Sequence, residues 1–132
     1  MGRRAYEMAQ GDFTNYEYQV PIFVVTHRRP LKVAKGQNEC LSVSFVIEGV
    51  GAAIQQAKIA AADKQVTVIG GPSIFQQCIA LALADELVLR LIPRMVGMGL
   101  PLFASGGTPR AFSLLATDES SGRRIDMLYS CR

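Results

Sequence analysis

An α/β fold is predicted by three observations. A β-branched apolar run occupies residues 22–27, a helical apolar stripe occupies 50–62, and a strand–turn–helix–strand succession runs from 65 to 92. The chain has 132 residues, the length of one domain, and no composition shift or repeat divides it. It is read as a single domain over 1–132 with a mixed sheet and flanking helices.

The elements follow in order. IFVVTH (22–27), entered from Pro21, reads as a buried strand. Gly36-Gln37-Asn38 reads as a turn, and CLSVSFV (40–46) as a second, shorter strand. Val50, Ala53, Ile54, Ala57 and Ala61 fall at helical spacing, with Gln55, Gln56 and Lys58 off the stripe. The small alanines suit close packing on a sheet. QVTVI (65–69) follows as a buried strand, then Gly70-Gly71-Pro72-Ser73. Proline is tolerated in a first helical turn because its missing N–H has no intrahelical partner there. A helix is therefore predicted from this point to Leu83, with Ile74, Phe75, Cys78, Ile79 and Ala82 inward. ELVLRLI (86–92) is the next strand. A strand, a helix and a strand in so short a span form a βαβ unit, so 65–69 and 86–92 are expected to be parallel neighbours. Pro93 and the run Val96–Pro101 are breakers. FSLLAT (112–117) and IDMLYSC (125–131) read as a hairpin joined through 118–122, forming an antiparallel C-terminal edge.

Composition narrows the function classes. Hydrophobic residues make up 49%, charged residues 19%, and mean hydropathy is +0.20, the apolar end for a soluble domain. Either the core is large for the length or a partner covers apolar surface. The net charge is +3, with basic residues in scattered pairs: Arg3–Arg4, Arg28–Arg29 and Arg123–Arg124. Nucleic-acid binding is not expected, since no basic stripe with interleaved aromatics exists. Such pairs suit a small phosphate ligand better. Cys40, Cys78 and Cys131 are odd in number and widely spaced, which predicts buried free thiols in a reducing cytoplasm and no metal site. No apolar run is long enough to span a membrane, and the N-terminus has no signal-peptide pattern.

Three segments carry candidate chemistry. Gly70 and Gly71, between a strand and a helix, let a ligand approach the backbone. The following helix start, with Ser73, offers free N–H groups and a positive dipole end, which suits a pyrophosphate. A tight turn needing glycine torsions explains the pair equally well, and no third glycine completes a Rossmann fingerprint. Gly2-Arg3-Arg4 could hold a phosphate through an arginine fork, or be a basic terminus. Thr26-His27-Arg28-Arg29 closes the first strand, where open α/β sheets bind ligands, so Thr26 and Arg28 are candidates for a ribose or 2′-phosphate. His27, the single histidine, has no nucleophile or carboxylate motif beside it and reads as exposed or capping.

Four stretches, in the same order, carry a resemblance: MGRRAYE (1–7), PIFVVTH (21–27), EGVGAAIQQAK (48–58) and VTVIGGPSIFQQCIALALADELVLRLIPRMVGMGLPLF (66–103). The chain resembles the dihydrofolate reductase superfamily, and especially the C-terminal reductase domain of riboflavin-biosynthesis deaminase-reductases. The fourth stretch is the long and specific one; residues 28–47 and 104–132 match loosely.

The resemblance implies an NADPH-dependent reductase of a small pteridine-like or riboflavin-precursor-like heterocycle. It implies that Gly70, Gly71, Ser73, Ile74 and Phe75 hold the pyrophosphate, that Gly2, Arg3 and Arg4 hold the adenosine side, and that Thr26, His27 and Arg28 meet the 2′-phosphate. A threonine usual in the Gly-Arg segment is replaced by Ala5. The family's opening strand, loop and helix, which supply nicotinamide and substrate contacts, have no counterpart before Met1. No catalytic residue is assigned on this basis. The alternative expectation is a truncated, inactive nucleotide-binding or oligomerising relative. A homodimer is expected through the β-rich C-terminal half, because the composition is apolar and relatives in the riboflavin-reductase branch are commonly dimers.

Overall fold

The computed structural model describes residues 1–103, 109–119 and 124–132. Its elements run α1 (Arg3–Met8), β1 (Ile22–Val25), β2 (Val43–Val46), α2 (Val50–Ala61), α3 (Pro72–Ala80), β3 (Glu86–Leu91), β4 (Ser113–Asp118) and β5 (Ile125–Ser130). β1 and β2 are parallel, with Ile22 opposite Val43 and Val25 opposite Val46. Residues 1–2 lie along the other edge of β1. The Met1 amino group donates to the Phe23 carbonyl at 2.6 Å, and Val25 N–H donates to the Met1 carbonyl at 2.8 Å. A second, three-stranded sheet has the order β3-β5-β4, antiparallel throughout, with a bulge in β4 between Leu114 and Ala116.

Two cores hold these pieces. The first gathers Tyr6, Phe13, Ile22, Val24, Ala34 and Leu41. Tyr6 meets Phe45 edge to face at 5.2 Å, and its hydroxyl donates to the Lys32 carbonyl at 2.9 Å. Helix α1 owes its place to this anchor. Six residues are too few to show a period in sequence, so α1 was not expected. The second core packs Val50, Ile54 and Cys78 with Val25, Val66, Ile74, Leu83 and Ala84, clasping α2 to α3. The α2 stripe is as predicted: Val50, Ala53 and Ile54 are buried, while Gln55, Gln56 and Lys58 are exposed.

The βαβ expectation fails. Residues 65–69 run between α2 and α3 as part of no ladder, and β3 pairs antiparallel with β5 instead of parallel with 65–69. Val66 packs into the second core, yet Val68 and Ile69 stay 42% and 40% exposed. β5 offers β3 six antiparallel pairs, the slightly stronger kind per residue. β5 is therefore the middle strand, not an edge as expected, and β4 takes the edge.

Several boundaries also shift. β1 stops at Val25 because the Thr26 hydroxyl turns the chain, donating to the Arg28 carbonyl at 2.6 Å and accepting from Arg28 N–H at 3.3 Å. β2 begins at Val43 because the Asn38 side chain takes the N–H groups of Cys40 and Leu41 in a turn. Helix α3 ends at Ala80, and Ala82, expected inward, is exposed. Cys40, expected buried, is exposed; Cys78 is buried, Cys131 is half-buried, and all three thiols are free. The antiparallel β4–β5 pair is as predicted, while part of its connection, 120–122, lies outside the described residues.

Candidate functional site

Two segments far apart in sequence interlock at the starts of α1 and α3. A Cβ built on Gly70 would lie 3.2 Å from the Gly2 nitrogen and 3.7 Å from the Ala5 Cβ. A Cβ on Gly2 would lie 2.8 Å from Ile74 Cγ1. Gly70 has φ +135°, a conformation side chains rarely adopt. Glycine at both positions is thus required by the fold. Gly71 differs: its φ is −73°, and a Cβ there would meet nothing within 4 Å. That open space beside an uncapped helix start is a cradle a side chain would fill. Pro72 occupies the first turn, Gly71 has no side chain to cap α3, and the orphan N–H groups there form the positive end of the helix dipole.

The other candidates border this junction in different ways. Thr26 follows the residue bridged to Gly2 and is 5% exposed, with its hydroxyl engaged by Arg28. Thr26 therefore shapes the loop that presents His27 and Arg28, both exposed. Arg3 Nε pairs with Glu7 Oε1 at 2.6 Å, whereas Arg4 is exposed. Ser73 is exposed, and its hydroxyl accepts from Gln77 Nε2 at 3.3 Å. Ile74 seals the back of Gly2, while Phe75 packs edge to face on Phe103 at 5.7 Å, tying α3 to the later chain.

Sequence reasoning missed one flank. An open cleft of about 310 Å³ lies between α1 and residues 30–32, lined by Arg3, Tyr6, Glu7, Gln10, Pro30, Leu31 and Lys32. Lys32 follows Arg28 and Arg29 closely, and that basic spacing was the available signal. Cys78 is 3% exposed in the second core. Burial pushes its thiol pKa up, with the Met1 amino group acting weakly the other way. Burial likewise lowers the pKa of the Met1 amino group. Among the described residues, no cluster of His, Cys, Asp and Glu could hold a metal, and no helix is long and apolar enough to cross a membrane.

No family model matches the chain, and no curated protein matches it. Solved structures do. The chain superposes with TM-score 0.74 and 21% identity on a protein described as belonging to riboflavin biosynthesis, from Shewanella sp. PV-4, covering 98% of this chain and 71% of that one. It superposes with TM-score 0.54 and 18% identity on a pyrimidine reductase-like protein from Corynebacterium diphtheriae, covering 83% of this chain and 49% of that one. At these identities the likeness concerns the fold, and it agrees with the resemblance that the glycine and strand segments carry. The chain has the dihydrofolate-reductase-like α/β fold.

Proposed function

We propose that this chain is the cofactor-binding part of an NADPH-dependent reductase acting on a small pteridine-like or riboflavin-precursor-like heterocycle. The open cradle at Gly71, bounded by the Gly2–Gly70 junction, is the observation that carries this reading. Gly71, Ser73 and the first turn of α3 would take the pyrophosphate, and Arg4, Arg28 and His27 are exposed to meet phosphate on the adenosine side. The bound nucleotide would supply the hydride, and this chain would supply position and charge. Free thiols fit a reducing cytoplasm. The working form is a homodimer, which would cover exposed apolar residues such as Val88, Leu91, Leu114 and Leu115. A second reading is a nucleotide-binding or oligomerising relative without turnover.

A thermal-shift titration tests the cofactor. NADPH at a hundred times its dissociation constant should stabilise the fold by about 2.7 kcal/mol, and NADH should do so only at higher concentration. Absence of any shift at millimolar NADPH would overturn both nucleotide readings. Binding without turnover of any pteridine-like substrate would favour the second.

A further inference from the structure

Residues 27–33 belong to no helix or strand, and His27, Arg28, Arg29 and Lys32 are exposed along them. Cationic side chains on so short a stretch repel one another, and its backbone wanders unless something holds it. Two hydroxyls hold it. The Thr26 hydroxyl donates to the Arg28 carbonyl at 2.6 Å and accepts from Arg28 N–H at 3.3 Å. The Tyr6 hydroxyl donates to the Lys32 carbonyl at 2.9 Å. Among the described residues, the backbone of 27–33 makes no other hydrogen bond within the chain. Both hydroxyls sit on fixed parts of the molecule. Thr26 follows β1 and donates its N–H to the Val46 carbonyl of β2 at 3.0 Å, while Tyr6 lies in the first core. Pro30, between the two anchors, restricts the chain further.

We propose that Thr26 and Tyr6 are positioning residues, whose hydroxyls set the loop 27–32 to receive the 2′-phosphate and so fix the preference for NADPH over NADH. This rests on the cofactor reading above and names what makes it selective. Neither hydroxyl serves the phosphate itself. A phosphate is bound by donors, and a hydroxyl has one proton to donate. Thr26 gives its proton to the Arg28 carbonyl and Tyr6 gives its own to the Lys32 carbonyl, and the two residues are 5% and 1% exposed. Their contribution is preorganisation. A mobile cationic loop must be ordered when the anion arrives, and each long side chain immobilised at that moment weakens binding. A loop held at both ends has lost that freedom already, in folding. NADH lacks the 2′-phosphate, so the order of this loop does not affect it.

The test is calorimetric titration of the full chain with NADPH and, separately, with NADH. The parent should bind NADPH more tightly. Thr26→Val keeps the side chain's shape and removes its hydroxyl. Tyr6→Phe keeps the ring in the core and removes only the hydroxyl. Each should weaken NADPH about tenfold, the effect of leaving one or two long side chains to be ordered on binding, and leave NADH within about twofold. The ratio of the two dissociation constants then falls. Thr26→Ser, which retains the hydroxyl, should keep the parent's ratio. A purely structural role would weaken both nucleotides alike and leave the ratio unmoved. Should Thr26→Val fail to fold, Tyr6→Phe decides. A ratio unmoved in Thr26→Val and Tyr6→Phe would overturn this assignment while leaving the cofactor reading intact. A parent that binds both nucleotides equally would overturn the assignment and the NADPH preference together. A parent that binds neither would overturn the cofactor reading and the assignment with it.

Discussion

At the scale of single residues, the adjacent glycines do different work. Gly70 cannot accept a side chain, for its φ is +135° and Gly2 and Ala5 crowd it. Gly71 can, since its backbone is ordinary and its Cβ would enter open space. Gly71→Val should therefore melt within about 1 kcal/mol of the parent, the usual bound for a change that creates neither cavity nor clash. Its NADPH-induced thermal shift should vanish. Retention of the parent's shift would mean that the pair is only a turn. The pair was legible in the sequence, but its division of labour was not, because torsions are set by the partners Gly2 and Ala5, some 65 residues away. The same holds for Thr26. A threonine after a strand could equally face a ligand or its own loop, and here its hydroxyl meets the Arg28 backbone, a contact that no local pattern announces.

At the scale of elements, the end of α3 shows how a stop signal can be missing from sequence yet present in structure. Leu83 N–H donates to the Cys78 carbonyl at 2.8 Å, and Ala82 N–H donates to the Ile79 carbonyl at 3.1 Å. Together they form a Schellman closure with Ala82 at φ +52°, where glycine is usual. Leu81, Ala82 and Leu83 are all good helix formers, which is why the periodicity carried the predicted helix onward to Leu83. Leu83 leaves the helix because it joins the second core. A left-handed alanine costs about 1 kcal/mol. Ala82→Gly should thus raise stability by about that amount and Tm by about 4 °C, as read by calorimetry. An unchanged or lowered Tm would contradict this account of the turn. α1 closes similarly through Gln10 at φ +53°, with Gly11 N–H donating to the Tyr6 carbonyl at 3.1 Å.

At the scale of the whole molecule, pattern and pairing part company. The α/β class, α2, the C-terminal hairpin and the existence of two N-terminal strands were legible, because each writes its period or its turn into a local window. Which strands lie side by side was not. The run 65–69 has strand composition, and strand composition states only that a residue fits a pleated, half-buried surface. It does not state which neighbour will supply the surface. The apolar composition finds a partial answer in the same place. β4 is exposed along its whole length and β5 is half-buried throughout, so the three-stranded sheet has little of its own chain to pack against.

The run 65–69, passing between two ladders without joining either, also bears on how the molecule loosens. Backbone bonding couples residues into units that open together, and here that coupling is interrupted between β1–β2 and β3–β5–β4. The first ladder is roofed by a buried aromatic cluster, while the second is largely bare. Amide hydrogen exchange in rising sub-denaturing urea should therefore resolve two opening free energies. The amides of Met127 and Leu128 should exchange through the lower one, and those of Val24 and Phe45 through the higher. If all four converge on a single isotherm at low urea, the interruption is only geometric and the chain breathes as one body. If they separate, the C-terminal sheet is a sub-globally opening unit, and whatever binds it will be felt first as slower exchange there, well before any change in the global melting point.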